Sequence, residues 1–219
     1  HWLSVSRFLR SKFNLIIFDV PGFGESSINS SAKYTLDEQV RVIMEFLLRI
    51  VPSDQFIIGG NSLGGFFSAA IAAKAPQIVT GLWLLAPAGV TTEQHAEGVE
   101  LILEGKNPLL VKNSFDFARL SQLCFYNPPA KGWFYEVFEQ KAIKRFATNQ
   151  HLFTQMFGSV SSRLENPLQL EKIARSIECE TLIVWGENDQ IITPDGLGIL
   201  TKNIKFNESK LMFQVGHLP

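Results

Sequence analysis

Cysteine is scarce in this chain. Its 219 residues include only Cys124 and Cys179. Two thiols cannot build a disulfide framework, and their spacing matches no metal-ligand pattern, so both read as buried thiols of a reducing compartment. An excess of one charge is also lacking: 20 basic and 21 acidic residues leave a net charge of -1. With no basic stripe, nucleic acid is excluded as an expected partner. No apolar run reaches the roughly 18 residues a bilayer span requires. The N-terminal stretch carries Arg7, Arg10 and Lys12, but its apolar part, Leu15 to Phe18, is too short for a signal peptide and runs into Asp19. Gly22-Phe23-Gly24 lacks the third glycine of a dinucleotide loop, because Ser27 stands in its place. No lysine follows the glycines around Ser62, which excludes a Walker loop.

What is present suits one globular domain with a sizeable core: 46% of residues are hydrophobic and 19% charged. Asn14 to Phe18 reads as a strand buried on both faces, closed by the Pro- and Gly-dense turn Asp19 to Ser26. Thr35-Leu36-Asp37-Glu38 is a capping box. After it, Leu36, Val40, Ile43, Leu47 and Ile50 mark one face of an amphipathic helix that Pro52 closes. Gln55 to Gly59 is the next expected strand, Gly64 to Lys74 the next helix, and Gly81 to Ala86 another strand. Strand signals then fade. From Thr91 to Glu178 the pattern is helical and dense in aromatics, read both as a subdomain with its own core and as a cap over Ser62. Strands resume at Thr181 to Trp185 and Lys210 to Val215. Alternating strands and helices imply an α/β architecture, a mostly parallel sheet covered by helices, with function at the carboxyl ends of the strands.

Three of those ends carry chemistry. Gly60-Asn61-Ser62-Leu63-Gly64 fits G-x-S-x-G, in which a serine sits at the tip of a strained strand-to-helix turn. The glycines on either side are expected to let helix and strand pass closely. Gly65, Ala69, Ala70, Ala72 and Ala73 extend a small-residue face along that helix. Asp189 follows the Thr181 strand and His217 follows the Lys210 strand, so nucleophile, acid and base occur in the order Ser, Asp, His. A serine hydroxyl needs a base within hydrogen-bond reach, and the base needs an orienting partner. Ser62 is therefore the expected nucleophile, His217 the base and Asp189 the acid, with the Leu63 N–H as an oxyanion donor. Glu187 and Asp195 compete for the role of the acid. Asp19 is read as a turn-builder near the site, while His95 and His151 fall in the helical insertion.

These residues also carry a resemblance. Asp19-Val20-Pro21-Gly22-Phe23-Gly24 with Ser26, Gly60 to Gly65, Trp185 to Asp189, and Gly216-His217 together resemble the α/β-hydrolase fold superfamily over nearly the whole chain. The shorter stretches His1 to Val5, Pro87-Ala88-Gly89, Asn107-Pro108-Leu109 and Gln122 to Tyr126 are most similar to monoacylglycerol lipase-like serine hydrolases with a helical cap. The resemblance implies a hydrolase core over 1–90 and 179–219 and a cap over 91–178. It implies catalysis by Ser62, Asp189 and His217 on a carboxylic ester of an acyl chain, with no metal or organic cofactor. The substrate class is a small-molecule ester or lipid, the location cytoplasmic or membrane-associated, and any membrane contact made through the cap or through segments outside this chain.

The family's His-Gly loop, which supplies a second oxyanion donor, is not found in this sequence, nor are the family's first strands and last helix. The chain is thus expected to be an excerpt of a longer protein, inactive when isolated. Two other functions fit the same residues. One is a C–C bond hydrolase of meta-cleavage products, which would need a carboxylate-binding arginine such as Arg119, Arg145 or Arg163 facing the pocket. The other is a non-catalytic binding protein on this fold.

Overall fold

The computed structural model describes residues 2–29, 31–51, 55–157 and 168–219. A four-stranded sheet is its spine, made of β1 (Phe56–Asn61), β2 (Val79–Leu85), β3 (Glu180–Gly186) and β4 (Asn207–Met212). The spatial order is β1-β2-β3-β4 and every pairing is parallel. Parallel neighbours need crossover connections. These are α3 (Leu63–Lys74) between β1 and β2, and α9 (Asp195–Asn203) between β3 and β4. Between β2 and β3 the described chain forms α4 (Glu97–Leu103), α5 (Ser114–Cys124), α6 (Trp133–Lys144), α7 (Phe146–Phe157) and α8 (Leu170–Ala174). Before β1 stand α1 (Trp2–Leu9) and α2 (Leu36–Ile50).

The core lies between the sheet and α3. Ile58, Leu82, Leu84, Ile183 and Trp185 are buried there with Phe66, Ala69, Ala70 and Ile71 of the helix. Helix α8 packs on α3, and α9 packs on β3 and β4. A Cβ on Gly196 would come within 2.7 Å of the Trp185 ring, so α9 meets the sheet through its glycine. The α2 stripe is buried as its periodicity requires at Val40, Ile43 and Leu47, whereas Ile50 is exposed. Its capping box is half formed. Thr35 accepts from the Glu38 N–H at 3.4 Å, but the Glu38 carboxylate turns to Arg41 instead of back to Thr35. Pro52 lies outside the described residues.

Two sequence expectations are corrected. Asn14 to Phe18 forms no strand. The segment pairs with nothing in the sheet, and Leu15, Ile16 and Ile17 are exposed. Segment and β1 edge both line one cleft of about 1420 Å³, and no ladder crosses it. Extended apolar residues become a strand only when a neighbour accepts and donates their hydrogen bonds. The last strand begins at Asn207, earlier than its apolar letters suggest, because pairing with β3 rather than burial sets its extent; four of its six residues are exposed.

The glycine expectation at the turn is corrected in part. A Cβ on Gly60 would sit 2.2 Å from the Gly64 backbone, and one on Gly65 2.8 Å from Pro87, but one on Gly64 meets nothing within 4 Å. The close crossings are therefore at Gly60 and Gly65. In the full-length protein Gly60→Ala should cost about 3 kcal/mol through a backbone clash, whereas Gly64→Ala should be neutral or stabilising by up to about 1 kcal/mol. Denaturant midpoints of the two variants check this, and equal losses would contradict it.

Candidate active site

Ser62 joins β1 to α3, and its backbone holds φ 54° and ψ -122°. Left-handed φ in a residue with a side chain costs roughly 1–3 kcal/mol, so the surrounding structure must enforce it. It does so through three backbone bonds. The Ser62 N–H donates to the Leu85 carbonyl at 3.0 Å, and the Ser62 carbonyl accepts from Phe66 at 3.1 Å and from Ala88 at 2.9 Å. A serine at a helix N-cap ordinarily uses its hydroxyl to accept from the first turn. Thr35 and Asn113 do so in α2 and α5, but Ser62 makes no such bond. Its hydroxyl is thus not spent on capping. Leu63 is the first residue of α3, where a backbone N–H has no intrahelical acceptor.

Asp189 lies in the turn after β3, and its side chain is fully buried. One carboxylate oxygen accepts from the Ile191 and Ile192 N–H groups at 2.8 and 3.0 Å. The other accepts from the Trp185 indole N–H at 3.1 Å and lies 2.8 Å from His217 Nδ1. With Nδ1 donating to the carboxylate, Nε2 is left as the basic nitrogen, the tautomer that this network requires. The competing acids do not share this setting. Glu187 and Asp195 are exposed. Asp19 builds its own turn, accepting from the Glu25 N–H on its carboxylate and from the Ser26 hydroxyl on its carbonyl.

The histidine loop is held from three sides by groups that residue type alone does not reveal. The Asn61 side-chain amide donates to the Leu85 carbonyl and to the His217 carbonyl, both at 3.0 Å. The His217 N–H donates to the Cys124 carbonyl, at the end of α5, at 2.8 Å. Cβ atoms on Gly186 and Gly216 would meet the Gly216 carbonyl at 2.1 Å and the Cys124 carbonyl at 2.4 Å. The loop is therefore wedged between the end of β3 and the end of α5. The sequence shows Asn61 as the residue directly before the serine, but not its bond to the histidine loop. An amide directly before a strand-end serine was the one available signal.

The remaining candidates lie elsewhere or are engaged. His151 Nε2 is 3.0 Å from the Gln155 amide. Arg119 pairs with Glu97, and an Arg145 guanidinium nitrogen lies 3.5 Å from the Gly22 carbonyl. His1 and Arg163 fall outside the described residues. Among the described residues no cluster of His, Cys, Asp and Glu could hold a metal ion. No helix there is long and apolar enough to cross a membrane.

With this geometry in view, comparison with known proteins places the chain. Residues 2–219 match the family model for the alpha/beta hydrolase fold, and the chain belongs to that family. It is 35% identical over 208 residues to Lipase 1 of Psychrobacter immobilis, covering 94% of this chain and 64% of the relative. It is 26% identical over 224 residues to human monoacylglycerol lipase ABHD6, covering 99% and 65%. Among solved structures, a bacterial membrane phospholipase A superposes with a TM-score of 0.81 at 29% identity, covering 92% of this chain and 63% of that one. The chain thus spans just under two thirds of the length of these relatives.

Burial, and secondarily the Asp189 carboxylate, push the Cys124 thiol up to about 12. A folded value above the unfolded one means the neutral thiol favours the folded state. That contribution is complete below the ordinary thiol range near 9 and is lost as pH rises toward 12. Iodoacetamide at pH 9 should leave Cys124 unmodified in the folded full-length protein and modify it once denatured, as read by peptide mass spectrometry. Equal labelling in both states would contradict this setting.

Proposed function

We propose that the protein is a serine hydrolase of carboxylic esters, acting on acylglycerols or similar lipid esters through an acyl-enzyme. In this reading Ser62 attacks the acyl carbonyl while His217 Nε2 takes its proton. Asp189 keeps the imidazole in the required tautomer and stabilises the imidazolium. The tetrahedral oxyanion is received by the Leu63 N–H, a donor worth roughly 2.7–4 kcal/mol of barrier. His217 then returns the proton to the leaving alkoxide, and water repeats the sequence to release the fatty acid.

The observation that carries this reading is the Asn61 bridge. The residue directly before Ser62 donates to the backbone carbonyl of His217 at 3.0 Å, and the buried carboxylate orients that histidine's ring, which supports the reading. The uncapped hydroxyl of a strained Ser62 supports it from the other side. The substrate class is supported by the relatives, whose names are lipase and monoacylglycerol lipase.

The full-length protein should hydrolyse monoacylglycerols, and Ser62→Ala should lower kcat/KM by about 10⁴-fold or more. Fatty-acid release is the measurement, with a dienoic diketone acid assayed beside it. Preferred cleavage of the diketone acid would move the reading to C–C bond hydrolysis. A well-folded full-length protein that cleaves neither substrate would leave the binding-protein reading in its place.

A further inference from the structure

Helix α4 opens the insertion, and its one buried residue is Gly98. Glycine is the poorest helix former after proline, and no positive φ calls for it at this position. The reason lies in the turn that carries Asp189. A Cβ on Gly98 would come 2.8 Å from the Ile191 Cα and 3.1 Å from the Gln190 and Ile191 carbonyl oxygens. Those are backbone atoms, which cannot swing aside like the end of a side chain. The close approach is put to use. The Gly98 N–H, in the first turn and without an acceptor in its own helix, donates to the Gln190 carbonyl at 2.7 Å.

That carbonyl and the Ile191 N–H belong to one planar peptide unit. Gly98 holds one end of the unit, and the other end donates to Asp189 at 2.8 Å. Rotating the peptide to release one bond breaks the other. A carbonyl that accepts also polarises its peptide and strengthens the N–H as a donor. Gly98 therefore steadies the Asp189 oxygen opposite the one that faces His217 Nδ1. Helix α5 has a matching contact with the base, where the Cys124 carbonyl accepts from the His217 N–H and Gly216 permits the approach. Arg119 of α5 pairs with Glu97, the neighbour of Gly98. That pair is exposed and of little strength, so the two backbone bonds set the loops.

We infer that Gly98 is a positioning residue for Asp189, acting through the Gln190–Ile191 peptide. The insertion then supports both the acid and the base, by α4 at one loop and by α5 at the other. Gly98 touches no reacting atom. Its part is to keep the carboxylate where His217 Nδ1 meets it. The inference rests on the proposed roles of Asp189 and His217, and its test includes a readout that needs no turnover.

The test compares full-length wild type with Gly98→Ala. Two quantities are read: monoacylglycerol hydrolysis, and the proton resonance of the Nδ1–carboxylate bond in protein labelled with ¹⁵N-histidine. The resonance is assigned by its loss in His217→Gln. Gly98→Ala should lower kcat by roughly 10–100-fold, as expected when a catalytic group is displaced by a fraction of an ångström to one ångström, and leave KM within about twofold. It should also move or broaden the Nδ1 proton resonance. Gly132→Ala is the control, since a Cβ there meets nothing within 4 Å, and it should change neither quantity. If Gly98→Ala does not fold, glycolate is placed at position 98 by nonsense suppression. That ester deletes the N–H and adds no Cβ, and the same two changes are expected. An unchanged resonance in a folded position-98 variant overturns the inference, because the contact would then be packing alone. So does an unchanged kcat in an active protein. If the wild type cleaves no ester, the catalytic reading fails separately, and the resonance alone decides whether Gly98 holds the pair.

Discussion

A single buried carboxylate organises this molecule. Asp189 receives donors on both oxygens: two backbone N–H groups, one indole and one imidazole. A buried carboxylate without such partners would be costly to hold. The donors come from separate pieces of chain. Trp185 belongs to β3, Ile191 and Ile192 to the turn before α9, and His217 to the segment beyond β4. Satisfying the charge therefore closes the turn and draws the end of the chain over the sheet. It also fixes which imidazole nitrogen faces away.

The second constraint is steric and sits at the neighbouring strand end. Ser62 keeps a strained backbone because the crossing of β1 and α3 leaves it no other path. The first constraint orients the His217 imidazole and the second leaves the Ser62 hydroxyl uncapped. Asn61 joins them, with one side-chain amide spanning the β2 end and the histidine loop. The Cys124 carbonyl adds a tether from the helical insertion, so His217 is held jointly by sheet and insertion.

Much of this was legible in the sequence, for physical reasons. Apolar runs capped by Gly-rich turns locate the ends of parallel strands, and Ser62, Asp189 and His217 lie at three such ends. Periodicity gave α2 its buried stripe, and Thr35 marked its start. The misreadings share a cause: letters state what a residue could do, not which neighbour it meets. Asn14 to Phe18 has strand composition but no pairing partner in the sheet. The glycine pattern did not distinguish Gly64, which stands in open space, from Gly65, which does not. Backbone carbonyls such as that of Cys124 carry no signature of type, so their part in holding His217 appears only in three dimensions.

The central claim is that the Asp189–His217 bond is what makes Ser62 reactive. The direct measurement is the rate at which a fluorophosphonate labels Ser62 in the full-length protein and in Asp189→Asn. The amide keeps the shape of the carboxylate but can donate to Nδ1, favouring the wrong imidazole tautomer. The account predicts labelling slower by roughly 10³–10⁴-fold with the fold intact by circular dichroism. Labelling of folded Asp189→Asn at the unsubstituted rate would contradict it, leaving the buried pair a structural feature of the sheet edge.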